Sequence, residues 1–98
     1  MEKIVRDGMV AVAVSYGYGA GWSTWNDIDP MDARFNQLFL DGKADEVVRI
    51  CEKEELGYAG GAADVSIEWV PVGTKFVIEE YDGAESLLSM DDFGWSIA

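Results

Sequence analysis

The sequence predicts an α+β fold: an antiparallel sheet of about five strands, in the order ββ-αα-βββ, with a helical hairpin packed on one face. Three observations lead there. Asp7-Gly8 and Asp82-Gly83 each stand between β-prone runs, and Asp-Gly favours the tight type I′ hairpin turn because both central residues need positive φ. The middle of the chain carries apolar residues at spacings of three and four, the period of a helix with one buried face. The stretch after it alternates apolar and polar residues, the period of a half-buried strand.

The elements follow in order. A short run before Asp7 and the run Met9 to Val14 form the first hairpin. The second run is apolar on both faces and is expected as a central, buried strand. Tyr16 to Asn26 holds three glycines and four aromatic residues, and is expected as an ordered loop with aromatic side chains folded over it. Trp22 and Trp25 are expected to pack at the core or its edge, whereas Tyr18, set among glycines, is the candidate for exposure.

Asp29-Pro30 reads as an N-cap followed by proline at the first helical position. Phe35, Leu38 and Phe39 make the inner stripe of this first helix, and Gly42 ends it. The second helix is expected from about Ala44 to Leu56, with Val47, Ile50 and Cys51 inward and Gly57 beyond its end. Tyr58 to Asp64 reads as a small-residue loop. Val65, Ile67 and Trp69 alternate in one strand, and Pro71 to Thr74 forms a turn. Phe76 to Tyr81 and Ala84 to Met90 pair across the second Asp-Gly turn. Asp91 and Asp92 open a short final segment ending in Trp95 and Ile97.

Ninety-eight residues make one domain, residues 1–98, long enough for a core without staples. The single cysteine, Cys51, excludes an internal disulfide and is expected as buried filling. There is neither a charged-then-apolar leader nor an apolar run near a membrane span of about 18 residues, so a soluble, intracellular protein is expected.

Catalytic and cofactor signals are weak. Gly17, Gly19 and Gly21 echo part of a dinucleotide fingerprint, but Trp22 to Asp29 separate them from a helix, and no phosphate-binding lysine follows. Asp27, Asp29 and Asp32 lack the glycine and closing glutamate of a calcium loop, and helix capping explains two of them. Histidine is absent, which removes Ser-His and Cys-His pairs and, with one cysteine, a zinc site. No catalytic residue, metal or cofactor is expected. A hydrolase using paired carboxylates stays open as a lesser alternative.

Charge is more informative. Nineteen acids face seven bases, for a net charge of -12. Such a field repels nucleic acid and anionic membranes and attracts basic surfaces. The excess is one-sided. Residues 54–98 hold ten acids and one base, Lys75, against nine acids and six bases before them. Glu68, Glu79, Glu80, Asp82, Glu85, Asp91 and Asp92 flank strands expected to be neighbours, although like charges on adjacent strands oppose folding. Carboxylates spaced along strands can imitate a row of phosphates. These seven, with Tyr18, are the candidate partner-binding residues, and the expected partner is a basic protein that itself binds nucleic acid. A plainer reading makes the acids an edge that blocks strand-to-strand aggregation. A second functional reading places the contact in the aromatic loop 16–26, for a protein or a small ligand. A homodimer through an edge strand or that loop is left open.

Gly19-Ala-Gly-Trp-Ser-Thr-Trp-Asn26, with Glu68-Trp-Val-Pro71, Gly73-Thr74 and Glu79-Glu-Tyr-Asp-Gly83, resembles a family of short proteins encoded by tailed phages and prophages. The resemblance implies expression in the cytoplasm of an infected bacterium. Small acidic phage proteins often inhibit host defence, anti-CRISPR and anti-restriction proteins among them, so by association the resemblance implies a basic host protein as the partner. It supplies no functional residue.

Overall fold

The computed structural model describes residues 1–19 and 21–89. Its elements are β1 (Val5–Arg6), β2 (Met9–Ser15), α1 (Ala33–Leu40), α2 (Ala44–Lys53), a 3₁₀ turn (Gly60–Asp64), β3 (Val65–Pro71), β4 (Phe76–Tyr81) and β5 (Ala84–Ser89). The class and the order ββ-αα-βββ agree with expectation. The sheet does not, because it is split. β1, β2 and β3 form one antiparallel sheet in that order, and β4 and β5 form a separate antiparallel ribbon.

The split follows from β2. Its residues from Val10 to Ser15 are buried on both faces, so two layers must cover it. Ala13 faces a core built from Trp22, Ile28, Phe35, Val47, Cys51, Ala59 and Ala62, against which Leu38, Phe39, Ile50 and Ile67 also pack. Val12 and Val14, on the other face, form a second cluster with Val70, packed by Met31, Phe76, Ile78 and Leu87. The ribbon therefore lies across the central strand as its second cover. In the plane of the sheet it would leave Val12 and Val14 in water, at about 1.5–3 kcal/mol for each side chain.

Both Asp-Gly turns have the expected geometry. Asp7 and Gly8 take φ of 52° and 75°, and Asp82 and Gly83 take 49° and 84°. The first helix starts later than its sequence suggests. Asp29 accepts from the Met31 N–H, in a turn of its own, and Asp32 is the true N-cap, accepting from the Arg34 N–H. The intervening Pro30 carbonyl is claimed by the Ala13 N–H and by the buried Asn36 amide, which also bonds the Ala11 carbonyl. These bonds lock α1 to β2. The second helix ends at Lys53 rather than near Leu56. Glu55 adopts φ of 54° just beyond it, and Gly57 is used instead in a bridge to Asn26. The small-residue stretch before β3 contains a 3₁₀ turn rather than only loop. No described helix is long and apolar enough to cross a membrane.

Candidate interaction surface

Two features that the sequence offers as rival contact regions are joined in the structure. The glycine-rich loop lies against the β4–β5 turn. The Gly19 N–H donates to the Asp82 carbonyl at 2.5 Å, and the Gly21 N–H to the Gly83 carbonyl at 2.6 Å. Gly19 and Gly21 take φ of 75° and 55°, which side-chain-bearing residues rarely adopt, and a Cβ on Gly21 would meet the Trp25 ring. From the other side the Tyr58 hydroxyl donates to the Gly19 carbonyl at 2.8 Å, and its ring lies 5.5 Å from that of Trp25.

Glu85 fastens the loop from beneath. This residue, expected among the exposed acids, is only 1% exposed. One carboxylate oxygen accepts from the Ser15 N–H at 3.0 Å. The other accepts from the Thr24 N–H at 2.9 Å and the Thr24 hydroxyl at 2.7 Å. Ser15 completes the link, its hydroxyl oxygen accepting from the Trp22 N–H at 2.9 Å. Glu85 thus ties β2, the loop and β5 together and offers nothing to a partner. The reason is alternation. Glu85 stands on the same side of β5 as Leu87, which packs inward, so it must face inward too.

The other acids fall into distinct positions. Glu79 and Glu80 are exposed on β4, and Asp82 is exposed in the turn. Glu80 also accepts from the Gly83 N–H at 2.8 Å and so braces the turn. Glu68 is half-buried on β3, opposite Val12, in the other sheet. Since β3 and β4 do not pair, the continuous row of acidic strands expected from the sequence is interrupted. Asp91 and Asp92 lie outside the described residues.

What the surface gains is aromatic. Tyr18 is 77% exposed and Tyr81 72% exposed, and their rings meet edge-on at 6.4 Å. Tyr16, Trp25 and Tyr58 are also exposed. Trp22, by contrast, is fully buried, edge-on to Phe35 and Phe39. The aromatic loop therefore divides its labour: Trp22 serves the core, and Tyr18 faces outward as expected. Sequence reading did not single out Tyr81, Tyr58 or Thr24. Tyr81 was within reach, because alternation along β4 puts it on the outer face with Val77 and Glu79.

Three of the seven bases are held elsewhere. Arg34 pairs with Glu54, whose carboxyl is thereby held below its usual range. Arg49 pairs with Asp45 and Glu46 on α2, and Arg6 lies over the Trp69 ring. Among the described residues no ion pair reaches Asp64, Glu79, Glu80 or Asp82. No group of three or more potential metal ligands comes together among them either. Cys51 is buried, and desolvation raises its thiol pKa above the usual value. An apolar groove of about 290 Å³, lined by Val5, Val10, Met31, Val70, Val72 and Phe76, is lined by none of the candidate acids.

Comparison with protein-family models, with curated proteins and with solved structures gives no match.

Proposed function

We propose that the chain is a non-catalytic phage inhibitor that docks its acidic and aromatic surface onto the basic nucleic-acid site of a host defence protein. The observation that carries this reading is the joining of the glycine loop to the β4–β5 turn. It gathers Tyr18, Tyr81, Glu79 and Asp82 on one surface, where no described cation pairs with either acid. Such a surface has the two ingredients of a specific electrostatic contact. The acids steer a basic partner into place, and the aromatics give area at low entropic cost once it arrives. Glu80 adds charge, whereas Glu85 serves to hold the surface in shape. The phage setting comes from the sequence resemblance, and mimicry of nucleic acid from the charge.

The test is a binding and competition assay. The tagged chain is used to capture host proteins at low and high salt, and each captured protein is then assayed for nucleic-acid binding with and without the chain. The reading expects salt-sensitive capture, and loss of nucleic-acid binding when the chain is added. The double variant Glu79→Lys, Asp82→Asn reverses one charge and removes another, while an Asn-Gly dipeptide keeps the type I′ turn. If that variant competes as well as the parent, the acidic surface is not the contact.

A further inference from the structure

The exposed tyrosine pair narrows the partner's chemistry beyond positive charge. Tyr18 and Tyr81 come from different segments, yet hydrogen bonds between Gly19 and Asp82 and between Gly21 and Gly83 fix their relation. Neither ring is used by the core. Both stand more than two-thirds in water with their rings held edge-on, so their outer surfaces are open to a partner. Carboxylates flank the pair. Glu79 shares the outer face of β4 with Tyr81, two residues away, and Asp82 adjoins it in the turn. Asp64 stands against Gly17 on the loop's other side, its carboxylate close enough to meet a Cβ there.

A ring face beside uncompensated carboxylates is a receptor for a planar cation. A guanidinium can stack on tyrosine while donating in-plane hydrogen bonds to a carboxylate. A lysine ammonium, compact and strongly hydrated, gains the charge attraction but not the stacking. A row of acids alone would treat the two alike.

We infer that the Tyr18–Tyr81 platform, with Glu79 and Asp82, reads arginine side chains on the partner in preference to lysine. This rests on the reading of the acidic surface as the docking face. The test uses two probes of equal length and charge, an oligoarginine and an oligolysine peptide, titrated against the intact chain by calorimetry at low and moderate salt. The arginine peptide is expected to bind roughly two- to five-fold more tightly, as one exposed cation–π contact implies. Tyr18→Ala and Tyr81→Ala should abolish that ratio by weakening arginine binding more than lysine binding, and Tyr18→Phe should preserve it. Circular dichroism confirms that each variant folds. Equal affinity for the two peptides overturns the arginine inference while leaving charge-driven docking in place. If neither peptide binds, the docking face itself is wrong. A ratio that survives loss of both tyrosines assigns any preference to the carboxylates alone and also overturns the inference.

Discussion

Replacement of Glu85 should be far more damaging than replacement of any exposed acid nearby. In Glu85→Ala the buried Ser15 N–H loses its acceptor, and a buried donor left unpaired costs about 1–3 kcal/mol. The Thr24 N–H and hydroxyl are less deeply placed and can recover water, so their loss adds on the order of 1 kcal/mol. Relief from burying a carboxylate offsets part of this. The net expectation is a destabilisation of about 1–3 kcal/mol. In a domain of this size each kcal/mol lowers the melting temperature by roughly 4–8 °C, so a fall of at least ~4 °C is expected. Glu79→Ala is the control, since an exposed substitution stays within about 0.5 kcal/mol. The assay is thermal and urea unfolding of parent, Glu85→Ala, Glu85→Gln and Glu79→Ala, with amide exchange read at Ser15 and Thr24. Glu85→Gln keeps one acceptor oxygen and should fall between. Indistinguishable melting of Glu85→Ala and Glu79→Ala, with Ser15 still protected, would refute the buried-anchor argument.

Three further outcomes are expected. Cys51, buried and with its thiol pKa raised by desolvation, should resist alkylation in the native chain and react fully once guanidinium unfolds it; rapid native labelling would contradict its place in the core. Gly21→Ala forces a side chain into the positive-φ region and against the Trp25 ring, so it should destabilise by more than about 1 kcal/mol and shift the tryptophan emission, whereas Gly19→Ala, which meets no neighbouring atom, should leave the emission unchanged. The Arg34–Glu54 pair lowers the carboxyl pKa in the folded state, so its contribution is present above the unfolded value and lost as pH falls through the folded one. The small stability difference between parent and Glu54→Gln should therefore vanish on acidification, and a difference that persists in acid would point to another cause.

Much of the fold was legible because its signals are local. Asp7-Gly8 and Asp82-Gly83 demand positive φ whatever surrounds them, and both take it. The stripe of Phe35, Leu38 and Phe39 needs only one turn of helix to declare itself. The split of the sheet was not read, although its cause stood in the sequence. A strand apolar on both faces needs two covers, and the cluster around Ala13 supplies only one. Glu85 was misplaced for a related reason. Counting acids treats every carboxylate as solvent-facing, whereas its spacing from Leu87 places it inward. The contact between loop and ribbon joins residues more than sixty positions apart through backbone hydrogen bonds, and side-chain patterns carry no trace of such bonds.

The position of Glu85 also changes what the acidic half of the chain means. Glu80 and Glu85 stand directly opposite each other in the β4–β5 register, an arrangement that like charges oppose. Among the described residues no ion pair offsets this. The fold gives Glu85 the Ser15 and Thr24 donors, and Glu80 the Gly83 N–H. Backbone amides can satisfy a carboxylate's hydrogen bonds while leaving its charge in place. A salt bridge from Lys75 or any other base would have steadied the hairpin at the expense of the negative field at its turn. Holding Glu80 by the Gly83 amide orders the turn without a countercharge. On the proposed docking reading, ordering without a countercharge leaves the field at the turn available to a basic partner.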